Sequence, residues 1–557
     1  MALCTLLIYV LLLGAVTYSG ALTIKTIAAE RGVQVSLSLA ALVIGVIAML
    51  YVATGGLKAC AWADLIQGSA LILGGAVIMV LAFMVLGRAE TAWTFSDIQQ
   101  GIVEAKRLDP GAGSLSRFLG LNSNRLNMFL PKNDPILPWT ALLLGIWIPN
   151  FYYWGLNQYI TQRTLGSASL SQGQRGIVFA AFLKLLVPFV VVIPGIIAFN
   201  LYAPDMRLDA RGDVAGGLAK YVKANPGTQW VQVVDSPTED AISAWQGDRG
   251  RYMMALYPDT ASLKAVKVSN PFVVPMVKSD FDEAQAAEYT VFASEDKAWR
   301  HLNADLAAEI EQYDARTREA AKAAGKPTQT EKLVSYKYDT ALGYLMSRVL
   351  PLNVGLFGFV CAALLGAVVS SLAAMLNAAS TIFSMDIYKK FLAPKASQGN
   401  LVLLGRISVV VFAAIAVMLA PQLGNPNLRN SIFTIIQESQ GFISPGVLAV
   451  FVFGLLSRRA PAPCGVLGLL TSIVSYGLFM VAAPSVQFLN RMAICFGLCL
   501  VVMWIWTAAR PLAKPIEFRR NTDIDLTPSR GARTAGVVVI LLTLLLYVIF
   551  SPIGVGK

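Results

Sequence analysis

The chain is short of the residues that most chemistry depends on. It has one histidine, His301, in a charged loop, which leaves little material for histidine-based acid–base catalysis. Its six cysteines (Cys4, Cys60, Cys361, Cys464, Cys495 and Cys499) all lie in or beside apolar segments. Neither a disulfide framework nor a metal-ligand spacing can be drawn from them. Charged residues amount to only 14%, against 56% hydrophobic. A water-soluble domain does not bury enough surface to carry that balance, so the 557 residues read as a polytopic membrane protein. The net charge of +12 fits an excess of Lys and Arg in cytoplasmic loops. No compact basic and aromatic patch accompanies it, which argues against nucleic acid as a partner. The opening MALCTLLIYVLLLGAVTYSGA lacks the basic stretch of a signal peptide, and a second apolar run follows almost at once. It therefore reads as a transmembrane helix.

What the sequence does have is about eleven apolar runs, at roughly 2–24, 34–54, 61–87, 136–160, 176–203, 352–384, 401–421, 431–456, 462–483, 487–508 and 534–551. Basic residues cluster after alternate runs: Arg163 and Arg175; Lys389, Lys390 and Lys395; Arg458 and Arg459; Arg510, Lys514, Arg519 and Arg520. Those loops belong in the cytoplasm, so the chain begins inside, ends outside, and presents 88–135 and 204–340 to the outside. Three parts follow: membrane helices over 1–203, an extracytoplasmic insert over 204–340, and membrane helices over 341–557. The insert carries mixed charge, a strand-like WVQVV at Trp230–Val234 and an amphipathic helix over Glu295–Ala324, and reads as a solvated accessory domain.

Polar residues inside the apolar runs are the candidates for function. In the sixth run, Ala367, Ser370 and Ser371 stand at i, i+3 and i+4, which puts two hydroxyls and a small residue on one helical face. Hydroxyl oxygens suit a hard cation such as sodium; small residues also serve ordinary helix packing in membranes. In the fourth run, Asn150, Tyr153, Trp154 and Asn157 fall at i, i+3, i+4 and i+7. That face fits either a headgroup belt or a hydrogen-bonding pocket with aromatic planes, the equipment a sugar needs. Lys184, in FLKLLVP between Phe182 and Pro188, costs roughly 2.5–3.5 kcal/mol at membrane depth. It faces a cavity or a partner, or it snorkels to the inner surface, and Pro188 and Pro194 frame a bend beyond it. Gln437, Glu438 and Gln440 precede Gly441 and Ser444-Pro445-Gly446, residues able to break a helix and free its carbonyls. Asp64 in the third run is either a cation-path acid or an interfacial acid near Lys58.

In order and spacing, these stretches resemble the sodium/solute symporter family, most closely its bacterial sodium/galactose and sodium/glucose branch. The stretches that carry the resemblance are YVATGGLKA (Tyr51–Ala59), PNFYYWGLNQYITQRTLG, GIVFAAFLKLLVPF, VSSLAAMLNAASTIFSMDIYKK (Val369–Lys390) and IIQESQGFISPGVLAVF. Nearly the whole chain outside 204–340 takes part. The resemblance implies an all-α transporter fold of two inverted five-helix repeats with flanking helices, and solute held at the midplane between a rocking bundle and a frame. It implies that Asn150, Lys184 and Gln437 hydrogen-bond a sugar, with Tyr153 stacking on it beside Trp154. Ala367 (by its carbonyl), Ser370 and Ser371 would supply part of a sodium site, and Asp64 would lie on the sodium exit route. No cofactor beyond the coupling sodium ion is expected, nor any enzymatic activity. The expected partners are Na⁺, a small neutral solute and the lipid of the cell membrane.

Members of that branch usually have about fourteen helices, whereas this chain begins where the fourth would lie. The expectation is an N-terminally truncated sequence with about 11 of the usual 14 transmembrane helices. The function expected of the full-length protein is sodium-coupled sugar import by alternating access. Its alternatives are sodium symport of another neutral solute (inositol, a polyol or sialic acid), or a non-transporting remnant or membrane sensor.

Overall fold

The computed structural model describes residues 2–132, 134, 137–245, 251–266, 268–292, 296–351, 353–424, 432–483, 485–518 and 524–556. Among them, eight helices are long and apolar enough to cross a membrane, or nine if the bent pair Ile435–Gly441 and Ser444–Leu456 counts as one span. The count falls short of eleven for two physical reasons. The runs 34–54 and 61–87 belong to a single helical stretch, Leu37–Arg88, 52 residues long. At 1.5 Å per residue that is about 78 Å, more than twice a bilayer's hydrocarbon core. Its one non-helical residue is Gly56, at φ 56° and ψ −156°, a conformation open to glycine and strained for other residues. The run 136–160 is broken into a wide turn at Ala141–Gly145 and two short helices, Trp147–Leu156 and Gln158–Leu165.

The seven other long apolar stretches contain the helices Ala2–Glu30, Leu170–Lys184 continued after a wide turn by Ile193–Ala224, Leu356–Thr381, Gln398–Leu423, Pro463–Ala482, Phe488–Ala509 and Arg530–Ile549. Leu356–Thr381, here called the serine helix, packs against Ala2–Glu30, Leu37–Arg88 and Gln398–Leu423. Tyr9, Leu13, Ile44, Leu372, Leu376, Ala413 and Ala416 form the buried centre of this packing. Small residues set its tightness: a Cβ on Gly45 would lie 2.3 Å from Val417 Cγ2. Close backbone approach of this kind replaces the missing hydrophobic driving force between helices in lipid.

Within 204–340 the structure holds a parallel three-stranded sheet, Val231–Asp235, Tyr252–Tyr257 and Val273–Val277, in sequential order with Tyr252–Tyr257 at its centre. All six residues of that central strand are buried, as a parallel strand covered on both faces requires. Met254, Leu256, Val274, Tyr221, Phe292, Trp299, Leu306 and Ile310 make a core of their own. The strand-like Trp230–Val234 falls on the first strand, one residue out of step; the other two strands carry no comparable signal in the sequence. The helix expected over 295–324 is two helices, Lys297–Leu302 and Ala304–Ala323, parted at Asn303 (φ −127°, ψ 43°), and Glu295 lies outside the described residues. A short parallel pair, Thr290–Val291 and Gln329–Thr330, also lies in 204–340, and Thr91–Asp97 and Ile102–Arg107 form an antiparallel hairpin in the 88–135 segment.

Candidate functional site

Two interrupted helices and the serine helix enclose one cavity of about 640 Å³. Asp64, Asn150, Tyr153, Trp154, Lys184, Ser370, Ser371 and Gln437 all line it, drawn from five separate segments of the chain. Ala367 is not on the cavity wall. It sits one turn before Ser370, whose hydroxyl donates to its carbonyl at 3.4 Å, so the three groups form one polar strip along the helix. That hydrogen bond is long and weak.

The aromatic side of the cavity is a connected set. Tyr153 meets Trp154 edge to face at 5.4 Å and Tyr159 at 5.7 Å, and Tyr159 in turn meets Tyr9 at 5.5 Å. Lys184 places its Nζ 4.5 Å from the centre of the Trp154 ring, a cation–π contact. The lysine lines the cavity. It owes this to position: the regular helix stops at Lys184, a wide turn follows at Pro188–Val192, and helix resumes at Ile193. Asn150 donates its Nδ2 to the Ile146 carbonyl at 2.9 Å.

Asn157 does not share the helical face of Asn150 and Tyr153. The helix ends at Leu156, and Asn157 has an extended conformation (φ −80°, ψ 121°) between two helices. Its Oδ1 accepts from the Tyr9 hydroxyl, which also accepts from the Tyr159 N–H at 3.1 Å. The first helix thus supplies the bond that the break removes.

Asp64 pairs with Arg163, and both line the cavity. Arg163 is therefore not a free loop charge after the fourth run; its Nη1 also donates to the Tyr159 carbonyl at 2.8 Å. Nothing in the local spacing announces this contact between residues 99 positions apart. Tyr9, Leu12 and Val16 likewise reach the site or its aromatic set from an otherwise uniform apolar helix, and only tertiary packing reveals them. Gln440, 4% exposed, joins Gln437 on the wall. Among the described residues, no group of three or more His, Cys, Asp or Glu side chains is arranged to hold a metal ion.

The cavity thus combines amide groups, aromatic faces, an ammonium, a charge pair and a hydroxyl strip at the meeting point of broken helices. Comparison with known proteins agrees. The sequence model of the sodium:solute symporter family matches residues 1–222 and 320–472, leaving out most of the segment that holds the parallel sheet. The sodium/glucose cotransporter of Vibrio parahaemolyticus is 29% identical over 548 residues, covering 97% of this chain and 74% of that protein. The sodium/myo-inositol cotransporter 2 of Homo sapiens is 23% identical over 470 residues, covering 82% of this chain and 48% of that one. The solved structure of a Na⁺-coupled sialic acid symporter, in a substrate-bound outward-open state, superposes with a TM-score of 0.55 at 14% identity. It covers 92% of this chain and 75% of that one, and so shares the fold. The chain belongs to the sodium:solute symporter family, membrane transporters in which sodium is the coupling ion, and not to a family of enzymes.

Proposed function

We propose that this symporter imports a sugar of the galactose or glucose type together with sodium, by alternating access across the cell membrane. The observation that carries the reading is the single cavity in which Asn150, Lys184 and Gln437 stand with Tyr153, Trp154 and the serine strip. Amides that both donate and accept fit hydroxyls, and an aromatic plane accepts the C–H face of a pyranose. The Ala367 carbonyl and the hydroxyls of Ser370 and Ser371 offer three hard oxygens to sodium. Asp64, beside Arg163, lies on the same cavity and, following the family resemblance, is read as the acid on the sodium exit route. The residues 204–340 form an extracytoplasmic insert between the membrane parts 1–203 and 341–557, on the strength of the basic loops that flank the alternate spans.

The energy available is adequate. One sodium ion moving down ~100 mV contributes about 2.3 kcal/mol, and a tenfold concentration difference adds ~1.4 kcal/mol. Together these sustain roughly 500-fold accumulation of a neutral solute at one-to-one coupling. Coupling requires that sodium favour the state to which the sugar binds.

Reconstituted into proteoliposomes, the protein is expected to take up labelled galactose or glucose only with an inward sodium gradient. Ser371→Ala is expected to raise the sodium concentration for half-maximal uptake by tenfold or more. Uptake that ignores sodium and survives Ser371→Ala would end the proposal. The relatives named for myo-inositol and sialic acid support a second reading, in which the solute is one of these; competition by unlabelled myo-inositol and sialic acid separates the two.

A further inference from the structure

The helix that brings Gln437 and Gln440 to the cavity stops at Gly441 and resumes at Ser444, the two halves bent by 42°. Such a break strips carbonyls from the first half and N–H groups from the second of their intrahelical partners. A serine on the neighbouring Pro463–Ala482 helix serves both sides. Ser472, fully buried, donates its hydroxyl to the Phe442 carbonyl at 2.9 Å and accepts from the Gly446 N–H at 3.1 Å. One turn on, Tyr476 packs edge to face on Phe442 with ring centres 4.9 Å apart.

Both contacts exist only because the facing residues are glycines. A Cβ on Gly441 would lie 2.3 Å from the Tyr476 ring, and one on Gly446 would lie 2.7 Å from Ser472 Cβ. Meanwhile Ser444 Oγ and Tyr476 Oη are buried at the same break without a hydrogen-bond partner. Neither hydroxyl holds the two halves together. Within the backbone, Ile443 donates its N–H to the Gln440 carbonyl at 3.0 Å and accepts the Val447 N–H at 2.9 Å, and Ser472 adds the side-chain clasp from a neighbouring helix. Ser472 is not part of the cavity wall.

We propose that Ser472 is a positioning residue: by clasping both ends of the break it sets the angle at which Gln437 and Gln440 meet the solute. The inference rests on the reading of Gln437 as a solute contact. Gln437 lies five residues before Phe442, about 7.5 Å along the helix axis, so a change of bend at the break swings it directly. Without the hydroxyl, the Phe442 carbonyl and the Gly446 N–H are left unpaired in a dry setting. They recover partners only if the bend changes.

The test is uptake in proteoliposomes by the full chain carrying Ser472→Ala, normalised to inserted protein. The expected result is a solute KM raised about tenfold, with kcat and the half-saturating sodium concentration within about twofold of their starting values. A merely structural loss lowers the amount of inserted protein and leaves KM alone. In a Gln437→Ala background, adding Ser472→Ala is expected to change KM no further, because its effect passes through that side chain. An unchanged KM, or an equal rise with and without Gln437→Ala, overturns the proposal. If Gln437→Ala by itself leaves KM untouched, the solute-contact reading fails, and the positioning role is then judged on geometry. A thiol reagent is expected to alkylate Gln437→Cys, in a background without other cysteines, at a rate changed at least about threefold by Ser472→Ala. An unchanged rate overturns the positioning role independently of any solute. Should Ser472→Ala insert poorly, Gly446→Ala, which drives a methyl into the Ser472 side chain, is expected to give the same KM pattern, and its failure to do so counts against the proposal.

Discussion

Asp64 in the membrane bundle and Asp314 in the insert are both carboxylates drawn out of water, and their surroundings treat them differently. Asp64 is about a quarter exposed, faces the cavity and has a guanidinium, that of Arg163, directly against it. Asp314 is 1% exposed; its Oδ1 accepts the Phe292 N–H at 2.8 Å, while Arg318 stands 3.8 Å from its Oδ2. Burial pushes the Asp314 carboxyl up to about 6, against the smaller downward pull of the Phe292 amide and Arg318. The bundle answers a half-buried acid with a counter-ion on the cavity wall. The insert answers with backbone hydrogen bonding and a raised proton affinity, which suits a fixed core and not a pathway.

The contrast can be broken first at the insert's core. Trp299, 2% exposed, belongs to a hydrophobic core separate from that of the serine helix. Trp299→Ala is expected to cost the insert about 3–5 kcal/mol and to open 204–340 to limited proteolysis while the membrane helices stay resistant. Cleavage spreading into 341–557 would show that the two regions fold as one.

A smaller effect is expected in the bundle. Arg163→Ala leaves Asp64 facing the cavity without its partner, at a cost of about 1–3 kcal/mol because both side chains keep some solvent. Its sharper signature is functional: half-saturation by sodium is expected to shift, while Arg163→Lys restores most of it. An unchanged sodium dependence in Arg163→Ala would mean that the pair is only structural.

The smallest effect is the pH response of Asp314. Its carboxyl binds a proton more tightly folded than unfolded, so the folded state holds more protons between about pH 4 and pH 6. The insert's stability is therefore expected to fall as pH rises through that window, with the slope lost in Asp314→Asn. Hydrogen exchange at the Tyr252–Tyr257 strand at pH 4 and pH 7, corrected for intrinsic rates, checks the sign.

Much of the bundle was legible in the sequence because membrane helices obey a simple length and polarity rule. The strip of Ala367, Ser370 and Ser371 follows from helical periodicity alone, and the break after Gly441 follows from Gly and Pro chemistry. What resisted reading was tertiary. Arg163 looks like any basic residue after an apolar run until it is seen against Asp64. Asn157 sits at a helical spacing from Asn150, yet the helix stops one residue earlier because Tyr9 can satisfy the freed groups. Gly56 gives no hint that the helical runs on either side of it meet without a loop. In the insert, the strand Tyr252–Tyr257 is apolar throughout and short, a pattern that length and periodicity leave ambiguous between strand and helix.

The ammonium resting on Trp154 makes that ring and that charge one composite surface on the cavity wall. On the sugar reading proposed above, an oxygen-rich guest would meet the ring with its C–H side and the lysine with its hydroxyl rim, whereas a greasy guest would part the two and leave the charge without a partner.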